Sequence, residues 1–260
     1  MKKYFIASDI HSFYDEWMKS LADKDFNIDN EDHIIVVLGD LLDRGPKAKE
    51  CLNFINNLPN QRKILIRGNH EDLLETCMKH KMFAWHDYSN GTVNTVEQLT
   101  GKDLTTKKNM DLDAAALIEC TTNSDLQYYL NSTLDYYEIG DNIFCHGWIP
   151  CGLFENKEKP GIVDYGILPN WKEATRRVWE AARWENGMRA WNRGAILEGK
   201  TIYCGHYHTS WGHYYLDESC EDEFDGDADF SPFIKEGIVA IDACTAYTKK
   251  VNVVTLEVED

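Results

Sequence analysis

The chain has 260 residues and carries 27 Lys+Arg against 44 Asp+Glu, a formal charge of −17. So acidic a chain excludes binding led by nucleic-acid phosphates and disfavours docking on anionic lipid. Hydrophobic residues at 43 % and aromatics at 12 % exclude general disorder, and no apolar run reaches the roughly 18 to 20 residues that span a bilayer.

In chain order, Lys3–Ser8 reads as an apolar strand ending at Asp9. Glu16–Asp23 has helical spacing through Trp17, Met18 and Leu21. His33–Leu38 is a continuous β-branched run, the pattern of a strand buried on both faces. Pro46 opens a predicted helix through Cys51, Leu52 and Ile55, stopped by Leu58-Pro59. Lys63–Arg67 is the third strand, and His70–Lys81 a helix with acid in its first turn. Strands alternating with helices predict βαβ units and a parallel sheet.

From about Phe83 to Leu134 the pattern turns polar and helical, with breaks at Gly91 and Gly101, and predicts a helical insertion over one end of the sheet. Tyr136–Ile139 and Asn142–Cys145 flank Gly140-Asp141 as a hairpin. Trp171–Trp184 reads as helix, and Thr201–Cys204, Ile238–Ile241 and Lys250–Val258 as strands. The sum is an α/β fold in a single domain over 1–260, two packed sheets with helices outside. The acidic stretch Leu216–Phe230 lacks the twelfth-position Glu of a calcium loop and is predicted as a solvated loop. The N-terminal Met1–Asp9 has no apolar core of an export signal, so a cytoplasmic location is expected. The eight cysteines form no Cys-x-x-Cys pair and are expected reduced, with Cys145 and Cys204 as small buried hydrophobes at strand ends.

The chemistry-bearing residues fall after predicted strands, where open α/β sheets place their sites. They are Asp9-Ile10-His11, then Gly39-Asp40-Leu41-Leu42-Asp43-Arg44-Gly45, then Gly68-Asn69-His70-Glu71, then His146-Gly147 and Gly205-His206-Tyr207-His208. Carboxylates, imidazoles and an amide converging in this way form an oxygen/nitrogen set that suits Mn, Fe or Zn. There are too many ligands for one ion, and a carboxylate such as Asp40 can bridge two. A lone Asp-x-His pair is more often a cap or a salt bridge than a site. Three charges at one strand end, as in Gly-Asp-x-x-Asp-Arg-Gly, are costly to bury without a task.

The ordered set resembles the calcineurin-like metallophosphoesterases. Within them it is most similar to the phosphoprotein phosphatase branch, which holds bacterial Ser/Thr phosphatases and symmetrical dinucleoside tetraphosphate hydrolases. The resemblance spans Asp9 to His208 and implies a four-layer αββα sandwich with a dinuclear metal centre. By that resemblance Asp9 and His11 hold the first ion, Asp40 bridges, and Asn69, His146 and His206 hold the second. His70 is implied as the general acid, oriented by Asp43, with Arg44 gripping the phosphate. A second phosphate arginine is implied before the Gly-His motif. Arg183 is the candidate, with Arg189 and Arg193 as rivals.

Three departures from the branch pattern stand out. Ser8 and Ser12 flank the first motif where glycines are usual. The Gly-His-x-His form is that of the wider superfamily and makes His208 an expected extra ligand of the first ion. Trp85, Asn90-Gly91 and Thr95 resemble the Trp…Asn-Gly-Gly…Thr stretch of bacterial members, with Thr92 in place of the second glycine, which makes Asn90 a candidate substrate contact.

The implied reaction is hydrolysis of a phosphomonoester, phosphoserine and phosphothreonine on proteins included, by metal-activated hydroxide without a phosphoenzyme. The alternative substrate is a symmetrical dinucleoside tetraphosphate. A non-catalytic phosphate-binding scaffold is the weaker reading, because every implied ligand is present together with His70, Asp43 and Arg44. Expected partners are a small phosphate ester or a phosphoprotein, with no nucleic acid and no membrane. No residue pattern specifies an oligomeric state.

Overall fold

β1 (Lys2–Ala7) alternates Tyr4 and Ile6 with Phe5 and Ala7, and all four are buried, so the strand is covered on both faces. The computed structural model describes residues 1–107, 109–155 and 163–259, the side chains of 163 and 164 excepted. After β1 come α1 (Tyr14–Ala22), β2 (His33–Leu38), α2 (Ala48–Asn57), β3 (Lys63–Ile66) and α3 (Asn69–His80). These are the alternating units legible in the sequence, with boundaries moved by one or two residues. β1, β2 and β3 are parallel neighbours.

The helical segment follows as α4 (Trp85–Asn90), α5 (Thr92–Thr100), α6 (Met110–Thr122) and α7 (Ser124–Ser132). Val93, Val96, Leu117, Cys120, Leu126 and Tyr129 share one core with Leu52, Ile55, Leu74 and the β1–β3 residues Phe5, Ile35, Val37 and Leu65. The segment therefore widens the outer helical layer, and α5 also packs on the loop that leaves β2. Each large apolar side chain buried there contributes about 1.5 to 3 kcal/mol.

The second half supplies β4 (Tyr137–Ile139), β5 (Asn142–Phe144), β6 (Cys151–Glu155), β7 (Val163–Ile167), α8 (Arg176–Ala182), α9 (Gly187–Asn192), β8 (Thr201–Cys204), α10 (Thr209–Tyr215), β9 (Phe233–Lys235), β10 (Ile238–Ala240), α11 (Thr245–Thr248) and β11 (Val253–Val258). β11 returns to pair antiparallel with β1, giving a mixed sheet in the order β11-β1-β2-β3. The other mixed sheet runs β4-β5-β8-β10-β9, and β6 and β7 form a separate two-stranded ribbon. Residue parity then builds the layers. Tyr4, Ile6, Ile34, Val36 and Leu38 face Phe144, Tyr203, Val239 and Ile241 between the sheets. Ile143, Cys145, Ile202, Cys204 and Ile238 turn the other way, onto Trp148, Trp179 and Met188. The result is two mixed sheets flanked by helices.

Several elements differ from the sequence expectation. The helix expected over Trp171–Trp184 is broken: a 3₁₀ turn covers Trp171–Glu173, and Ala174 at φ −60°, ψ 145° leaves helical space before α8. The last strand starts at Val253, not Lys250, because the turn at Lys249 (φ 55°) must unwind first. β6, β9 and α10 carry little periodicity to read; α10 is Thr-Ser-Trp-Gly-His-Tyr-Tyr. The acidic stretch is not simply solvated. The Asp227 carboxylate accepts from the backbone N–H of Glu221 (2.9 Å) and Asp222 (3.3 Å). The Tyr247 hydroxyl donates to the Phe224 carbonyl at 2.6 Å. All eight cysteines are free, with Cys145 and Cys204 buried at strand ends. No helix among the described residues is long and apolar enough to cross a membrane.

Candidate metal centre

The loops that leave β1, β2, β5 and β8 meet at one edge of the two sheets, and their backbones are unusual. Asp9, His11, Ser12, Asp40, Asp43, Arg44 and His206 all have left-handed φ, between 50° and 75°. Such φ values in non-glycine residues cost roughly 1 to 3 kcal/mol each and are held only where the surroundings dictate them. Gly39, at φ 82°, and Gly68 allow two of these turns to approach closely, since a Cβ on Gly39 would lie 2.6 Å from Gly68 Cα. Glu71 ties these turns together from the first turn of α3. Its Oε2 accepts from Gly68 N (2.8 Å) and Asp40 N (3.0 Å), and its Oε1 from Leu41 N (3.2 Å) and the Tyr129 hydroxyl (2.8 Å). Burial and the nearby Asp40 charge push its carboxyl above the ordinary range.

Asp40 is the hub. Its Oδ1 accepts from the His70 backbone N–H at 2.9 Å. Its Oδ2 lies 3.4 Å from His146 Nε2, 3.8 Å from His70 Nε2 and 3.9 Å from His11 Nε2. Two groups of donor atoms share it, His11–Asp40–His70 and Asp40–His146–His206, each set lying within 4.8 Å of one another. Burial alone would raise the Asp40 pKa, but His146, His70 and His11 hold it well below the ordinary value, so the carboxylate is ionised.

Hydrogen bonds fix which nitrogens face the centre. His11 Nδ1 sits 2.9 Å from the Leu42 carbonyl, so Nδ1 carries the hydrogen and Nε2 offers its lone pair. His146 Nδ1 is likewise 2.6 Å from the Leu38 carbonyl. Its Nε2 then faces Asn69 Oδ1 at 2.8 Å as well as Asp40. Three acceptors thus converge on one point and need a cation or a proton between them; that is the fit expected of a divalent ion. In the protein alone the proton fills the role: burial opposes it, yet Asp40 pushes His146 up to about 10. Burial and the neighbouring His146 lower His206 to about 3, and burial with His70 lowers His11 well below its ordinary value. Both are neutral and free to ligate.

Asp9 is buried beside these groups. Its Oδ2 accepts from the Ser8 hydroxyl and, at 2.9 Å, from His206 N. Ser8, in a glycine's usual place, therefore orients a carboxylate.

His70 is held differently from the other imidazoles. Its Nδ1 donates to Asp43 Oδ2 at 2.7 Å, and its Nε2 lies 3.4 Å from Arg44 Nη2. Burial opposes its charged form, but Asp40 and Asp43 outweigh that and raise its pKa. Arg44 is exposed, the orientation an anion clamp needs. Asn90 ends α4 directly before Gly91 (φ 87°), whose missing Cβ would stand 2.1 Å from Arg44 N.

Two expected site residues point elsewhere. His208 was expected on the first ion, but its Nε2 bonds Glu223 Oε1 at 2.7 Å, and its ring stacks on Tyr207 and touches Phe224. The acidic loop has claimed it. Arg183 was expected at the phosphate, but it is 3 % exposed and its guanidinium is committed to Asp72 (2.7 Å) and Asp135. Its job is to tie α3 to α8. Sequence reasoning missed Thr92 and Thr95 as partners of Asp43. Their spacing of three, just after the Gly91 break, was the available signal.

Buried imidazoles and carboxylates gathered at the strand ends of two mixed sheets, in groups that could hold a metal ion, are the arrangement expected of a metal-dependent phosphoester hydrolase. Residues 2–210 match the calcineurin-like phosphoesterase family, and the chain belongs to it. It is a hydrolase of that family, which implies divalent ions at the centre described above. The zinc-dependent endopolyphosphatase of Saccharomyces cerevisiae is 25 % identical over 79 % of this chain and 67 % of its own length. The asymmetrical bis(5'-nucleosyl)-tetraphosphatase PrpE of Bacillus velezensis is 27 % identical over 69 % of this chain and 72 % of its own. A symmetrical bis(5'-nucleosyl)-tetraphosphatase of Vibrio vulnificus is 42 % identical, but over only 26 % of this chain and 24 % of its own. Among solved structures, a protein serine/threonine phosphatase from Saccharomyces cerevisiae aligns over 100 % of this chain and 81 % of its own, with TM-score 0.51 and 13 % identity, a likeness of fold.

Proposed function

We propose that the chain hydrolyses phosphomonoesters at a dinuclear centre, phosphoserine and phosphothreonine side chains among them, in the cytoplasm. The observation that carries this reading is the sharing of Asp40 by two groups of imidazoles, with His70, Asp43 and Arg44 on the same edge. Asp9, His11 and Asp40 would hold one ion, and Asp40, Asn69, His146 and His206 the other. Ions bound there supply Lewis-acid charge and an activated water at neutral pH. Mn fits this oxygen/nitrogen set, as do Fe and Zn.

The protein's own groups do the rest. Arg44 holds two phosphoryl oxygens through its planar fork, and Asn90, the residue before the Gly91 that packs on Arg44 N, contacts the ester. His70 gives its Nε2 proton to the departing oxygen, while Asp43 on Nδ1 keeps the ring in the required tautomer. The formal charge of −17 repels long polyanions outside a cleft that Arg44 and bound divalent ions would make locally positive, which favours small esters and phosphorylated side chains over nucleic acid.

A second reading, hydrolysis of dinucleoside tetraphosphates, is favoured by the relatives named tetraphosphatases. An assay with Mn²⁺ on a phosphopeptide, nitrophenyl phosphate and a dinucleoside tetraphosphate tests both. Turnover of the first two supports the monoesterase; turnover confined to the third supports the second reading. Full activity after exhaustive chelation sinks both.

A further inference from the structure

The Asp43 carboxylate has more partners than the imidazole it orients. Its Oδ2 accepts from His70 Nδ1 at 2.7 Å and from the Thr92 hydroxyl at 2.8 Å. Its Oδ1 accepts from the Thr95 hydroxyl at 2.7 Å, and Thr95 Oγ1 in turn accepts the Asp43 backbone N–H at 2.9 Å. Both threonines are fully buried, at 0 % exposure. They stand three apart on the first turn of α5, so both hydroxyls emerge on one face. Asn94 Nδ2 adds a bond to the Gly45 carbonyl at 2.9 Å, so this turn of helix holds the whole 43–45 loop.

We propose that Thr92 is a positioning residue for the general acid. The proposal rests on the reading of His70 as that acid. Oδ2 is the oxygen that His70 uses, and a second donor on the same atom fixes the carboxylate plane, and with it the direction in which His70 Nε2 faces. Remove the Thr92 donor and Oδ2 keeps only the imidazole; Thr95 still anchors Oδ1, and about that one anchor the carboxylate and the imidazole can tilt away from the departing oxygen. The hydroxyl at position 92 stands where the bacterial stretch this segment resembles has a glycine, which offers no side-chain donor. The hydrogen bond to Asp43 is therefore built by this chain's own sequence, and it places part of the acid's support on the helical insertion.

The consequence is kinetic and specific to the leaving group. An alkyl phosphate needs its departing oxygen protonated, whereas nitrophenolate leaves with little help. Thr92→Val keeps the shape and removes only the hydroxyl. Losing a hydrogen bond to a charged group should lower kcat on an alkyl phosphate about tenfold, with less than about a twofold loss on nitrophenyl phosphate and KM unchanged on both. Thr92→Ser, which keeps the hydroxyl, should restore the alkyl rate. His70→Asn, measured on the same two esters in the metal-loaded enzyme, is the reference. If His70→Asn shows the leaving-group dependence and Thr92→Val loses equally on both esters, or Thr92→Ser fails to restore, Thr92 has only a structural role and the proposal is overturned. If His70→Asn itself loses equally on both, the acid assignment fails and the proposal falls with it.

Discussion

Replacing Asp40 by Asn should empty both metal positions, because one carboxylate serves two ligand groups. The substitution is isosteric, so its effect is that of one negative charge. The Asp40 oxygen lies 3.4 to 3.9 Å from the facing nitrogens of His146, His70 and His11. An ion held between this oxygen and the nitrogen of His146 or His11 would sit within about 4 Å of the carboxylate. At an effective dielectric near 20, a pair of unit charges at that distance interacts by about 4 kcal/mol. Even one charge unit's worth corresponds to roughly a thousandfold weaker binding of each ion. His11→Gln removes a ligand from one group only and should leave the other position filled. Elemental analysis after dialysis against micromolar Mn²⁺ reads the result directly: about two equivalents per chain for the wild type, one for His11→Gln and well under one for Asp40→Asn. Asp40→Asn that keeps a full equivalent refutes the shared-ligand argument, provided its circular dichroism matches the wild type.

Gly91→Ala should cut turnover about a hundredfold, the scale of a roughly 1 Å misplacement of a positioned group, since the new Cβ would meet Arg44 N at 2.1 Å; a loss under threefold in steady-state assays counts against the tight packing of α4 on the Arg44 turn. Arg183→Met should lower the unfolding free energy by about 2 to 3 kcal/mol, less than a fully buried pair would because Asp135 is 40 % exposed, yet leave KM for nitrophenyl phosphate near normal; a large rise in KM would return Arg183 to the phosphate. Loading the metal-stripped protein at pH 7 should release about one proton per chain. His146, pushed up to about 10, is protonated in the stripped form and must be neutral to ligate, so affinity should climb with pH towards that value. Calorimetry in buffers of different ionisation enthalpy measures it, and zero release contradicts the proton-for-ion exchange.

The β1–α3 half was legible because strong local signals coincide there. Continuous β-branched runs, Pro46 and the acid in the first turn of α3 all agree with the layers they enter. The motif residues were legible for the same reason: charge packed densely at a strand end has few structural explanations. What escaped was decided by distant partners. His208 looks like a ligand from its spacing to His206, but Glu223, fifteen residues on, takes its Nε2. Arg183 has the right neighbourhood in sequence, yet Asp72 and Asp135 reach it from 111 and 48 positions away. β9 is three residues long and acquires its meaning only by pairing with β10, a contact no periodicity encodes.

The left-handed residues at the cleft set this chain's stability against its chemistry. Asp9, His11, Asp40, Asp43 and Arg44 each occupy a backbone region that glycine enters freely. A glycine at any of them would relieve local strain while deleting a side chain that the proposed centre needs. Selection for thermal resistance alone would therefore drift toward inert variants at these five positions, and retained activity is the filter that keeps a stabilisation campaign out of the cleft.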